Sequence, residues 1–419
     1  MAESKETATP ATTSGTSDMV ADSSTPQQPN ATNPTPGNPT PVSVMPSGSK
    51  MGLWVGLAAA VVVVVGVGLW WFMKPAAKPA VTVKPVNVKI GFMVPLSGDY
   101  INGGVSADQG LELAKKTLHN ENVTVHIIKK STNCDAASGA KAMTELASEG
   151  VVAVIGELCS SGTLAAAPIA NKHHIPIVSM SATNAAVSTA GDYVFRTIPS
   201  DALQSDFVAD YFYNKMGYRK IAILHTDETY ATGLNDGVVA AFQKLGGEVV
   251  AQVSIAKGDT NVTSALQQVN AAKPEAIYMP TSSMDSAVAI VVKKKALGMT
   301  MPLLGSESNK DRTLISDAAA SAEGILVVGV NDGTTAYYEQ VQAADKVDPL
   351  AYSAQTYDAY TAIFKALEGG ASTGVAIKNA LYKENFAGVS GTIKFDSNGD
   401  VAGNYNIYKV VDGKFVAQK

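Results

Sequence analysis

Cysteine and charge are both scarce in this sequence, and each scarcity limits what the protein can be. The 419 residues include two cysteines, and only 16% of the chain is charged. Lysines and arginines are scattered and the net charge is -5, which argues against a basic surface for nucleic acid. Cys134 and Cys159 are either two buried thiols or one disulfide, and a disulfide would imply an oxidising compartment.

Motifs for enzyme chemistry and metal binding are missing as well. The sequence contains no phosphate-binding loop and no GxGxxG or GxSxG motif. His173-His174 has no further ligands at a suitable spacing, and Asp396–Asp400 starts like a calcium loop but places Ile407 where that loop needs Glu. Cys159 as a nucleophile would need a positioned base. We therefore expect no metal, no cofactor and no enzymatic activity.

The chain begins with two segments unlike the rest. Residues 1–50 are rich in Ser, Thr, Pro, Asn and Ala and cannot bury enough apolar surface to fold, so we expect a disordered tail. Residues 51–73 carry no charge and are long enough to span a hydrocarbon core of about 30 Å. Trp54 lies near one end of this stretch and Trp70 and Trp71 near the other, as interfacial aromatic residues do.

Residues 51–73 are therefore expected to form a single transmembrane anchor. A buried helix of a soluble domain is the alternative. A cleaved signal peptide fits poorly, because the preceding region is long and barely basic. Residues 74–86, rich in Pro and Lys, are expected to form a semi-extended linker.

From residue 87 onward, apolar strands alternate with helical patterns. Strands are expected at 88–94, 123–130, 151–156 and 175–180, and again at 220–226, 248–255, 276–280 and 302–305. Such alternation predicts an α/β fold with two doubly wound, parallel-sheet lobes joined by a hinge. We expect residues 322–330 to return toward the first lobe, and helices near 351–368 and 374–382. Residues 391–395 and 405–411 are expected to form a hairpin.

Two neighbouring strand ends carry small hydroxyl residues. Residues 156–163 include Ser160 and Ser161 at the start of a predicted helix, and residues 179–184 follow the next strand. Ligands of open α/β sheets bind at such carboxyl ends, and a helix N-terminus favours an anion such as a carboxylate. The alternative is plain helix capping by Ser160 or Ser161.

A series of short stretches, in order along residues 87–419, matches a known pattern. They are Lys89–Gly91, Val94–Gly98, Ala153–Gly156, Cys159–Ser161, Ile175–Ser179, Ala182-Thr183, Val194–Thr197, Ile221–Leu224, Thr229–Gly233, Gly391–Asp396 and Gly399-Asp400. In their order and spacing they resemble the type I periplasmic binding proteins of branched-chain amino-acid ABC importers. That resemblance implies one lobe of residues 87–199 plus 329–385 and a second of residues 200–328 plus 386–419.

The resemblance also implies roles for individual residues. Ser160 would hold the α-carboxylate of the ligand, and Thr183 would contact both its carboxylate and its ammonium group. Tyr230 would close on the ligand, and Glu307 would pair with the ammonium. The full predicted ligand set is Ser160, Ser161, Ser181, Ala182, Thr183, Tyr230 and Glu307, and the implied disulfide is Cys134–Cys159.

The chain departs from the family pattern in the second lobe. It has Ser282-Ser283 where aromatic residues are frequent, and Ser181 where a small apolar residue is usual. Both departures point to a smaller contact surface or a more polar ligand, and so away from leucine-type specificity.

These observations predict a membrane-anchored, extracytoplasmic protein that captures an amino acid or an analogue for an ABC permease. A tethered sensor for a separate signalling protein is the alternative, and an enzyme on a similar fold is a third. Lys74, Lys78 and Lys84 follow the apolar span, and charge alone would place the folded part in the cytoplasm. The cysteine pair and the resemblance favour the opposite side.

Overall fold

The computed structural model describes residues 85–418. The predicted tail, the predicted span of residues 51–73 and nearly all of the linker lie outside this part. Within residues 85–418, no helix is long and apolar enough to cross a membrane.

The first sheet has five parallel strands in the order β2-β1-β3-β4-β5. Its strands are β1 (Val86–Val94), β2 (Val123–Ser131), β3 (Ala153–Gly156), β4 (Ile177–Ser179) and β5 (Val194–Arg196). The helices between them are α1 (Ile101–Thr117), α2 (Ala136–Ser148) and α3 (Ser160–His173), with a 3-10 turn at Ala185–Thr189.

Helices cover this sheet on both faces. In β3, Ala153 and Ile155 belong to one buried apolar cluster, whereas Val154 between them belongs to another on the opposite face. Successive strand residues point to opposite faces, so a strand buried on both sides must be apolar at every position. This explains why its four residues form a continuous buried run.

The second sheet has seven strands in the order β14-β13-β10-β9-β8-β6-β7. Its elements are α4 (Asp201–Asp210), a π-helical turn (Tyr211–Lys215), β6 (Lys220–Thr226), α5 (Thr229–Lys244), β7 (Glu248–Ile255), α6 (Thr263–Ala271), β8 (Ala276–Met279), α7 (Met284–Ala296), β9 (Leu303–Gly305), 3-10 turns at Glu307–Asn309 and Ala319–Ser321, α8 (Arg312–Ala318), β10 (Leu326–Gly329), β13 (Asn406–Val411) and β14 (Lys414–Ala417). Strands β6 to β10 are parallel to one another, and β13 and β14 add an antiparallel edge next to β10.

The strand at residues 326–329 does not return to the first lobe as predicted. It pairs with β9 and β13 inside the second sheet. Only after it does the chain rejoin the first lobe, through α9 (Thr335–Asp345), α10 (Ser353–Glu368), α11 (Gly374–Leu381), β11 (Phe386–Ala387) and β12 (Thr392–Ile393). An apolar run predicts a strand, but it does not say which sheet the strand joins.

Residues 386–401 also differ from the prediction, which assigned them to the second lobe. Ile393, Phe395 and Val401 pack into the core of the first lobe. The predicted hairpin between residues 391–395 and 405–411 is wrong, because the two segments join different sheets. Strand β12 pairs with β11, and β13 pairs with β10 and β14. The turn within it is real, since Phe395 and Val401 form an antiparallel bridge.

Candidate ligand-binding cleft

A cavity of about 410 Å³ lies between the two sheets, at the carboxyl ends of their strands. Its first-lobe wall includes Ser160, Ser161 and Ser181, and its second-lobe wall includes Tyr230 and Glu307. Five of the seven predicted ligand residues therefore line one cavity. A volume of this size is typical of sites for small molecules.

The first-lobe wall presents hydroxyl groups at the start of a helix. Ser160 is the first residue of α3, and Cys159 before it is the N-cap, with no side-chain capping bond. The Oγ of Ser160 accepts from the backbone N–H of Asn184 at 3.2 Å. The hydroxyl of Ser161 donates to the carbonyl of Cys134 at 2.9 Å. Neither serine caps the helix, so the alternative interpretation of these residues as simple caps is not supported.

Ala182 and Thr183 do not line the cavity, in contrast to the prediction. Both are fully buried. Arg196 explains their position, because its Nη1 donates to the carbonyls of Ala182, Thr183 and Asn184 at 3.2, 2.8 and 3.0 Å. This guanidinium is itself buried and paired with Asp400 at 2.7 Å. The pair holds the loop against the body of the first lobe, behind the cavity wall.

The predicted disulfide is confirmed, and a buried acid lies beside it. Cys134 and Cys159 are bonded, with their Cα atoms 5.1 Å apart. Glu157 accepts from the Thr132 hydroxyl at 2.6 Å and from the backbone N–H of Cys159 at 2.8 Å. Burial raises the pKa of Glu157 to about 7. The disulfide joins the loop before α2 to the start of α3 and so supports the first-lobe wall.

The second-lobe wall is built around Glu307. Its Oε2 accepts from the Tyr230 hydroxyl at 2.5 Å and from the Gln204 side-chain amide at 2.6 Å. The same amide group lies 3.2 Å from Oδ1 of Asp201. Burial, followed by the nearby carboxylates Glu307 and Asp201, raises the pKa of Tyr230 well above its usual range, so its hydroxyl stays protonated and donates.

Asp201 and Glu307 are two buried acids that influence each other. Burial, and next the charge of Glu307, raises the pKa of Asp201 well above its usual range. Burial also raises the pKa of Glu307, while the hydrogen bonds from Tyr230 and Gln204 act in the opposite direction. The arrangement favours a proton on Asp201 and a negative charge on Glu307, which lines the cavity.

Two hydrogen-bonding contacts connect the lobes around the cavity. The hydroxyls of Tyr100 and Ser282 lie 3.4 Å apart across the cleft, and Ser282 donates to Glu228. The Asn184 side chain adds a second bridge, donating to the carbonyl of Thr229 at 2.8 Å. The two lobes are thus in direct contact around the cavity.

Sequence reasoning missed Arg196, Asp201, Gln204 and Glu228 as parts of this site. Arg196 fell within a matched stretch but was given no role. Asp201 and Gln204 lie on α4, and their partner Glu307 is 103 residues beyond Gln204. The available signal was the placement of Asp and Gln among apolar helix residues, which indicates a buried polar contact but not its partner.

With the geometry established, comparisons with known proteins identify the family. The sequence pattern of the periplasmic binding protein family matches residues 87–414, so the chain belongs to that family. The Leu/Ile/Val-binding protein homolog 3 of Brucella melitensis is 24% identical over 345 residues, which cover 79% of this chain and 93% of that protein.

Two solved structures are similar over the same part. A leucine binding protein of Thermotoga maritima has a TM-score of 0.74 and 25% identity, covering 79% of this chain and 98% of its own. A branched-chain amino acid transporter substrate binding protein of Streptococcus pneumoniae, in complex with isoleucine, has a TM-score of 0.72 and 25% identity, covering 79% and 99%. The resemblance inferred from the sequence is confirmed.

Proposed function

We propose that this chain captures an amino acid or an amino-acid-like molecule between its two lobes and delivers it to an ABC permease. One observation carries the proposal: hydroxyl groups from one lobe and a buried carboxylate from the other meet in the same cavity. The two ends of an amino acid carry opposite charges and need such a complementary pair of walls.

The ammonium end would bind at Glu307. This carboxylate is buried and has Tyr230 and Gln204 to fix its orientation. A buried charge is costly unless it is paired, so a ligand ammonium would supply the missing partner. The carboxylate end would bind near Ser160, where the N-terminus of α3 and its backbone N–H groups favour an anion.

Ligand binding would hold the lobes together. Contacts to both lobes are complete only when the cleft is closed, so the ligand shifts the population toward the closed state. The relatives are binding proteins for leucine or for branched-chain amino acids, and this supports the importer rather than an enzyme or a sensor.

The same proposal includes attachment to the cell membrane through residues 51–73, with the folded part outside the cytoplasm. The disulfide supports this side of the membrane, because disulfides persist in oxidising compartments. Protease added to intact cells should then digest the folded part. Digestion only after lysis would reverse the orientation.

A thermal-shift screen of the full-length chain against the common amino acids tests the binding role. A ligand that binds only the folded state stabilises it and so raises Tm. At a ligand concentration of 100 times Kd, the stabilisation is about 2.7 kcal/mol. We expect at least one amino acid to raise Tm. No shift with any of them at millimolar concentration would contradict the proposal.

A further inference from the structure

One carboxylate in the cavity wall has a buried oxygen without a partner. Glu228 lies between β6 and α5, and its Oε1 accepts from the backbone N–H and the hydroxyl of Ser282 at 3.0 and 2.9 Å. Its Oε2 is buried and accepts no hydrogen bond from any of residues 85–418. Leaving such an oxygen unsatisfied is unfavourable, because the atom has lost its hydrogen bonds to water without gaining others. The atom is therefore suited to a donor that a ligand brings.

Acidic side chains outnumber basic ones around the cavity, and Asp99 and Asp285 are the exposed acids among them. Glu228 and Asp311 are half-buried and Glu307 is buried, so the interior is acidic. Lys257 is the one cation among the lining residues of the described chain, and it is exposed. Its Nζ lies 4.3 Å from the centre of the Tyr100 ring. The second-lobe side of the cavity thus accepts hydrogen bonds and positive charge more readily than it accepts an anion.

Glu228 and Glu307 have separate hydrogen-bond partners. Glu307 is bonded to Tyr230 and Gln204, whereas Glu228 is bonded to Ser282. An ammonium group bound at Glu307 would therefore leave Glu228 available to another part of the same ligand.

We propose that the ligand is an α-amino acid whose side chain carries an N–H or O–H donor, and that Glu228, positioned by Ser282, accepts from that donor. The inference rests on the proposed function and names the ligand class for the same cavity. An aliphatic side chain such as that of leucine would leave Oε2 of Glu228 buried and unpaired. A hydroxyl, amide or amine would satisfy it.

Isosteric pairs of amino acids test this inference in the full-length chain. Calorimetry would compare L-asparagine with L-leucine, and L-threonine with L-valine, since the members of each pair have similar shapes. We expect the donor-bearing member to bind at least about tenfold more tightly in each pair, equivalent to about 1.4 kcal/mol.

Glu228→Met removes the acceptor at similar side-chain length and should reduce both ratios to less than about twofold. Glu339→Met, at an exposed residue of α9 remote from the cavity, is the matched control and should leave both ratios unchanged. A Tm measurement on each variant checks that it is folded.

The outcomes separate the two proposals. Binding of leucine and valine as tightly as their isosteres would overturn the ligand class while leaving the amino-acid function intact, whatever the behaviour of the variants. Retention of a tenfold preference in folded Glu228→Met would also overturn it. Binding of none of the four, together with no Tm shift from any other common amino acid, would contradict the proposed function and the inference together.

Discussion

The two walls of the cavity are built from different chemistry. The first-lobe wall presents serine hydroxyls and the start of a helix, and its nearest buried acid, Glu157, lies behind it. The second-lobe wall includes the acids Glu307 and Glu228. One wall is therefore suited to an anion and the other to a cation. A single ligand with both charges can bridge them, and this couples closure of the lobes to ligand binding.

The walls also differ in how they are stabilised. The first depends on a disulfide and on the buried Arg196, which holds a loop through three carbonyls. The second depends on side-chain hydrogen bonds between carboxylates, Tyr230 and Gln204. The first wall is thus held by a covalent bond and by contacts to the backbone. The second is held by side-chain hydrogen bonds that depend on the protonation state of the carboxylates.

Loss of the charge on the second wall should have the largest effect. In Glu307→Gln we expect ligand affinity to fall at least about 100-fold, because a charge-assisted contact with the ammonium is lost. Titration calorimetry with the amino acid that gives the largest thermal shift measures this. Glu339→Gln, an exposed change in α9, is the control. Affinity within threefold of the original chain would show that Glu307 does not bind the ammonium.

The acid behind the first wall should make stability depend on pH. Burial raises the pKa of Glu157 in the folded chain to about 7, whereas the ordinary pKa of a glutamate is 4.5. The folded state therefore holds the proton more tightly, and this contribution to stability is full below about pH 4.5 and is lost as pH rises through 7. Between pH 5 and 8 the loss is about 2 kcal/mol.

Urea unfolding of the original chain and of Glu157→Gln at both pH values tests this. The glutamine can still receive the Cys159 N–H and can donate to the Thr132 hydroxyl. Its difference in unfolding free energy between pH 5 and 8 should be smaller by about 2 kcal/mol. An unchanged difference would show that Glu157 is already ionised at pH 5.

The hydroxyl of the first wall should contribute less than the acid of the second. Ser160→Ala is expected to weaken ligand binding about tenfold, because one hydrogen bond to a charged group is lost. Thermal shift and calorimetry report the change, and Ser148→Ala at the exposed end of α2 is the control. No change in affinity would remove Ser160 from the carboxylate site.

A substitution at the contact between the lobes should have the smallest effect on ligand binding. A Cβ at Gly233 would lie 2.3 Å from Nδ2 of Asn184, which bridges to the other lobe. Gly233→Ala should therefore weaken ligand binding about threefold while leaving Tm without ligand nearly unchanged, or raising it through better helix propensity. Tighter binding would indicate that Asn184 moves aside without cost.

Sequence patterns predicted most strands and the position of the site, and particular residues show why. Strands β6 and β7 have the bounds expected from their apolar runs, because local patterning decides them. Helix α9 was not predicted, since it buries little besides Tyr337 and Val341. Its weak apolar stripe gives little signal.

Long-range contacts were beyond reach of local patterns. Tyr100 and Ser282 are 182 residues apart, and Arg196 and Asp400 are 204 apart. Which sheet β10 joins, and which lobe residues 386–401 cover, depends on chain crossings between the lobes and not on the residues themselves. Ala182 and Thr183 were misplaced for the same reason, because a distant ion pair draws their loop away from the cavity.

The central claim is that the two walls hold the two charged ends of one molecule, and analogues lacking one end test it most directly. Calorimetry of the full-length chain would compare L-asparagine with β-alaninamide, which lacks the carboxylate, and with succinamic acid, which lacks the ammonium. L-Leucine, 3-methylbutylamine and 4-methylpentanoate form the parallel series. We predict that each analogue binds at least about 100-fold more weakly than its parent amino acid. An analogue that binds as tightly as its parent would contradict the account.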